Sequence, residues 1–234
     1  MRPLYLEDSY LKEFDATVAK ADGKFIILDN TAFYPNGGGQ PNDTGVIKRG
    51  DGAEFRVVFA IKKDGNVSHE VDSEGLGEGD RVHCVIDWPR RYALMRMHTA
   101  AHILSAIMNR ETGALITGNQ LGERESRIDF SLETLDRKKI AGYVRKANDA
   151  VAAAIDVKHY YMATEEAMKI EGVVKLAKAL PPSVNELHIM EIAGIDRQAD
   201  GGTHVANTKE VGIIELLKIE NKGKNNRRIY YALK

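Results

Sequence analysis

Over its first part the chain alternates apolar and polar positions with the period of two expected of a half-buried strand. The runs are short and are punctuated by Asp-Gly pairs: TVAKADGKFIIL turns at Asp22-Gly23, KRGDGAEFRVVFAI at Asp51-Gly52, and AIKKDGNVSHEV at Asp64-Gly65. Each pair predicts a tight hairpin, because Gly accepts the positive φ that the turn demands. The loop GLGEG then leads to one more alternating run, RVHCVID. Turns at such close intervals predict a small antiparallel β-barrel-like domain over residues 1–88.

At Asp87 the period changes. Asp can cap a helix and Pro is tolerated in its first turn, so a helix is predicted from Trp88 to Arg110, with Gly113 as its stop. Leu94, Met97, Ala101, Leu104 and Met108 recur at spacings of three and four, one apolar stripe facing a core. A second helix is predicted from Leu135 to Ala154, on the stripe Ile140, Val144, Ala147, Val151 and Ile155. VKHYYMA reads as a strand, Thr164 opens a third helix, and Pro181-Pro182 breaks the chain. LHIMEI, GIIELLKI and RRIYYALK read as strands, the last two as a hairpin. Residues 89–234 are thus expected to form an α+β domain.

The 234 residues, 43% hydrophobic and 29% charged, suffice for one large domain or two small ones with a real core. The N-terminal MRPLYLEDSYLKEF lacks the apolar stretch of a secretory signal, and no run is long enough to span a membrane. A lone cysteine, Cys84, excludes an internal disulfide, fits a cytoplasmic protein, and is expected to pack in the core. Net charge is −1, so nucleic acid would have to be met by a local basic surface. Lys218, Lys222, Lys224, Arg227, Arg228 and Lys234 form the best candidate; the same run also reads as a solvated hairpin.

Two clusters carry metal chemistry. His98 and His102 lie four apart on the first predicted helix, where both imidazoles can reach one ion. Position 99 is Thr, so this is not the His-Glu-x-x-His pattern of a metalloprotease. Far downstream, Asp200-Gly201-Gly202-Thr203-His204 offers a carboxylate and an imidazole on a sharply turning loop. His98, His102 and His204 with Asp200 make a zinc set; zinc gives water a pKa of about 7 and so supplies a nucleophile at neutral pH. A third segment, TAFYPNGGGQPNDTG, lacks the ending of a P-loop. Its Gly37, Gly38 and Gly39 can still bring backbone N–H groups close to a ligand, with Thr31 and Gln40 as polar contacts.

The segments TAFYPNGGGQPNDTG, RMHTAAHIL and DGGTHVANTKEVG, with the closing GIIELLKIENKGKNNRRIYYAL, occur in this order along the whole chain. Together they resemble the AlaX family, in its medium-length form, and the editing domain of alanyl-tRNA synthetase. The resemblance implies a β-barrel-like domain followed by an α+β editing domain of the alanyl/threonyl-tRNA synthetase type. It implies an ATP-independent, zinc-dependent hydrolase that deacylates tRNA(Ala) mischarged with serine or glycine, as a cytoplasmic monomer or weak homodimer. It makes His98, His102 and His204 the ligands, Thr31, Gln40 and Asp200 catalytic, and Gly37–Gly39 and Thr203 substrate-binding. Thr31, with Gln40 behind it, is the expected reader of the serine hydroxyl. The family usually has cysteine where this chain has Asp200, so Asp200 either binds the metal or orients a ligand. A non-catalytic tRNA- or metal-binding module, or a zinc hydrolase of another ester, are the alternatives.

Overall fold

The computed structural model describes residues 2–134, 136–170, 173 and 185–234. Pro181-Pro182 lies outside them. The chain divides into two compact units, Met1–Met95 with Leu121–Glu123, and Arg96–Gln120 with Arg124–Lys234.

In the first unit a short helix α1 (Leu4–Glu7) precedes six strands: β1 (Glu13–Asp22), β2 (Phe25–Leu28), β3 (Gly45–Arg49), β4 (Glu54–Lys63), β5 (Asn66–Val71) and β6 (Arg81–Ile86). They close into an antiparallel barrel in the order β1-β2-β5-β4-β3-β6. All three Asp-Gly turns join hairpins, with Gly23, Gly52 and Gly65 at φ of 57°, 91° and 81°. The barrel interior follows the period of two: Val82, Cys84 and Ile86 point inward along β6, and Val67, His69 and Val71 along β5. Cys84 is fully buried, and burial pushes its thiol up to about 12, so it is a packing residue.

Helix α2 (Trp88–Thr112) starts behind Asp87, which accepts the Arg91 N–H at 3.0 Å, and stops at Gly113, φ 72°. The single expected stripe understates its burial. Every residue from Met97 to Met108 is buried, because Ala, Ser, Thr and His fill the positions between the large apolar ones.

The second unit adds α3 (Arg137–Ala152), α4 (Thr164–Ala167) and two antiparallel sheets. One runs β11-β10-β9, from β9 (Val157–Ala163), β10 (Glu186–Ile192) and β11 (Asp196–Ala199). The other runs β12-β13-β8-β7, from β7 (Ile116–Gln120), β8 (Ser126–Phe130), β12 (Ile214–Asn221) and β13 (Arg227–Leu233). This is the expected α+β mixture. Asp136 caps α3 through Lys138 and Lys139, and Ile140, Val144, Ala147 and Val151 are buried on one face; Ile155 lies past the helix end. The pattern had given no sign of β7, β8 or β11. ITGNQ and DRQA are mostly polar, and it is pairing with apolar neighbours that holds them extended.

No helix of the described residues is long and apolar enough to cross a membrane.

Candidate metal centre

His98 and His102 project from one face of α2, while Asp200 and His204 come from the loop after β11. That loop is tied down at both ends. The Asp200 N–H donates to the His188 carbonyl at 3.0 Å, and His188 Nδ1 returns a bond to the Asp200 carbonyl at 2.6 Å. Downstream, Asn207 and Glu210 form a reciprocal capping box on a 3-10 turn, Thr208–Val211. Thr208 Oγ1 donates to the last carbonyls of α3. Within the loop, a Cβ added at Gly202 would stand 2.1 Å from His98 Cε1, so only glycine lets the backbone pass the imidazole.

One ligand atom from each of His98, His102, Asp200 and His204 lies within 4.8 Å of every other. Asp200 Oδ1 is 3.8 Å from both His98 Nε2 and His102 Nε2, and Asp200 Oδ2 is 3.0 Å from His204 Nε2. Ligand atoms about 2.0–2.2 Å from a tetrahedral ion stand roughly 3.3–3.6 Å apart, so the three Asp200 distances are within tenths of an ångström of that spacing, and a pair at the 4.8 Å limit closes by about 1 Å. The opposite side of each ring is held. His102 Nδ1 donates to Asp196 Oδ2 at 2.8 Å, His204 Nδ1 meets Thr99 Oγ1 at 3.1 Å, and His98 bonds the Thr203 backbone. Such outer partners fix ring orientation and tautomer in metal-binding histidines.

Electrostatics suit a cation. Burial lowers His98 to about 4 and carries His204 well below its usual value, so both imidazoles are neutral and keep a lone pair to give. Burial opposes ionisation of Asp200, but His98, His204 and His102 outweigh it and hold the carboxyl well below the carboxylate range. Three imidazole nitrogens and one carboxylate oxygen, converging in a buried place, are a donor set that zinc fits.

Thr203, fully buried, belongs to this loop. The other expected site residues belong to the first unit. Thr31 donates to His69 Nε2 at 2.9 Å, because His69 Nδ1 already donates to the Ile26 carbonyl, and Thr31 Oγ1 accepts the Phe33 N–H. Gly37 and Gln40 exchange both backbone bonds around Gly38 and Gly39, at φ of 59° and 87°, in a tight turn. Gly37 thus spends its N–H inside the turn, and among the described residues those of Gly38 and Gly39 find no acceptor. Gln40 is buried. In the same segment Asp43 pairs with Arg91, both fully buried.

The basic run near the C-terminus is largely neutralised. Lys218 and Lys222 pair with Glu220, Arg228 with Asp129 and Lys234 with Glu215, while Arg227 is buried against backbone carbonyls. It reads as a braced hairpin. Sequence reasoning missed the supporting residues Thr99, Asp196 and His188. An acid at the first position of an unrecognised strand, β11, carries no motif.

Residues 7–90 match the family described as tRNA synthetases class II (A), and residues 187–230 match the threonyl and alanyl tRNA synthetase second additional domain. The chain is 49% identical to the alanyl-tRNA editing protein AlaX-M of Methanosarcina barkeri, over 98% of each chain. It is 45% identical to AlaX-M of Saccharolobus solfataricus, over 99% of this chain and 98% of that one. An alanine--tRNA ligase of Pyrobaculum aerophilum shares 39% identity over 94% of this chain, matched to 25% of the ligase.

Proposed function

The chain belongs to the AlaX-M family of alanyl-tRNA editing proteins, and on that premise we propose that it deacylates, in trans, tRNA(Ala) wrongly charged with serine or glycine. The observation that carries this reading is the convergence of His98, His102, His204 and Asp200 on one point. Zinc is the ion proposed there, with Asp200 as a direct ligand, and it would supply Lewis acidity that polarises an ester carbonyl and activates water near neutral pH.

In the reaction, water adds to the ester carbonyl carbon and the bond to the ribose oxygen breaks. The proton lost by the water ends on that oxygen. The products are the free amino acid and a tRNA with its terminal hydroxyl restored, without ATP. The chain's part is to hold. The N–H groups of Gly38 and Gly39, left without an acceptor among the described residues, suit the terminal sugar or phosphate, with Gln40 a proposed contact beside them, and Thr203 is a proposed contact of the aminoacyl end. A cytoplasmic protein, monomeric or weakly dimeric, fits a role beside translation.

Metal content and turnover test this directly. The wild type is expected to hold about one zinc per chain and to hydrolyse seryl-tRNA(Ala) much faster than a simple serine ester. Asp200→Ala is expected to lose both metal and turnover. A chelator-stripped wild type that deacylates at full rate would refute the metal reading. A metal-loaded wild type inert on every charged tRNA would favour a binding module.

A further inference from the structure

Along the face of α2 that carries His98 and His102, the next inward position is Ser105, seven residues on from His98 and so two turns away. Its side chain is 2% exposed, and its Oγ makes no hydrogen bond. Both facts are unusual together. A helical serine ordinarily satisfies its hydroxyl on the carbonyl four residues back, and a buried hydroxyl left unmade is destabilising. The hydroxyl lines a small cavity of about 30 Å³ that begins at His98 and His102. Asn119, on β7, gives it a second polar wall; Ile116 and Ile128 make the rest apolar. Ser105 and Asn119 therefore line one space together with the metal-binding residues His98 and His102.

A cavity of this size takes about two waters, or one carbon and one oxygen. We propose that it receives the side chain of the aminoacyl group, and that Ser105, rather than Thr31, reads the serine hydroxyl. This deepens the editing function proposed above and rests on it. The chemistry follows from the orphaned atom. A seryl hydroxymethyl gives Ser105 its missing partner, and a glycyl group leaves room for a water that does the same. An alanyl methyl displaces that water and returns no hydrogen bond, which is the arrangement by which a polar site rejects an analogue lacking the polar group. Thr31 is less suited, because its proton is committed to His69 and one acceptor site to Phe33.

Deacylation of seryl-, glycyl- and alanyl-tRNA(Ala) by the full-length wild type and by Ser105→Ala and Thr31→Val decides the matter, with bound zinc measured in each. Ser105→Ala should lower the seryl-to-glycyl ratio of kcat/KM at least about tenfold at unchanged zinc content. Thr31→Val should leave that ratio as it was. An equal loss on both substrates in Ser105→Ala, or an unaltered ratio, overturns the assignment. So does a ratio that falls in Thr31→Val instead. Binding of non-hydrolysable seryl- and alanyl-adenosine 3′-amides keeps this separate from the editing reading. If the wild type turns over no charged tRNA, the editing function falls. A seryl preference in amide binding that Ser105→Ala erases still upholds the pocket, and no preference in the wild type removes it.

Discussion

Each unit buries a carboxylate and a histidine, and the two do so in opposite ways. In the barrel, Asp43 accepts from Arg91 Nε at 2.9 Å, from Arg91 Nη2 and from the Tyr34 N–H at 2.6 Å, and Arg91 also donates to the Ser9 and Ala32 carbonyls. His69 is used at both ring nitrogens, by Ile26 and Thr31. In the second unit Asp200 sits among imidazoles with no guanidinium or ammonium paired to it among the described residues. Ser105 Oγ and His188 Nε2 are buried without a hydrogen-bond partner. Burial of polar groups therefore does not by itself mark a site. Unspent valence is the better guide: the barrel's Asp43 and His69 are paired within the protein, and the second unit's cluster is the one proposed to be completed by a bound ion.

The largest effect expected from this contrast is on stability. Removing one member of a buried ion pair leaves the other charged and unsolvated, at a cost of roughly 3–5 kcal/mol. Asp43→Ala should lose about that much in urea denaturation. Asp200→Ala, measured metal-free, should lose no more than about 1–2 kcal/mol, the worth of the Gly202 N–H and His204 bonds to its carboxylate. Equal losses in the two variants would erase the distinction between a structural carboxylate and a site carboxylate.

Acid tests the barrel's buried histidine next, in the same pH window in which His98 of the second unit contributes. His69 is fully buried, and burial lowers it from 6.5 to about 4, against the opposing bond to Ile26. Its folded pKa lies below its unfolded one, so between pH 6.5 and 4 the unfolded chain binds more protons and stability falls as pH falls. The whole window is worth about 3 kcal/mol. His69→Gln should flatten this part of the stability–pH profile, while keeping an acceptor for Thr31. If both proteins lose stability in parallel from pH 6.5 to 4, His69 is not the group responsible.

What could be read from residues alone follows the same line. The hairpins were legible because Asp-Gly turns and period-two runs are local, and the ligands because four residues on a helix and a Gly-Gly loop carry their own geometry. His69 was not legible: it occupies an inward position in NVSHEV, and only the closed barrel shows that both its nitrogens are spent. Ser105 looked like any small residue in an apolar helix. Its significance is the absence of a partner, which depends on β7 and β8, strands that the pattern did not reveal. Asp43, inside the glycine-rich segment, shows the converse, a polar residue in a motif whose task is to hold Arg91.

The smallest expected effect bears on how the open cluster is kept in readiness. Asp196 accepts from His102 Nδ1 at 2.8 Å, fixing which nitrogen faces the ligand point, and its charge makes the imidazole a better donor. Asp196→Asn keeps an oxygen able to accept that proton but removes the charge. His204 and His98 are held by Thr99 and the Thr203 backbone and not by Asp196, so their positions should persist. Zinc affinity, measured by competition with a chromogenic chelator, should then fall about 10–100-fold, with folding stability of the metal-free protein little changed. Affinity equal to wild type would mean that packing around α2 alone orients His102.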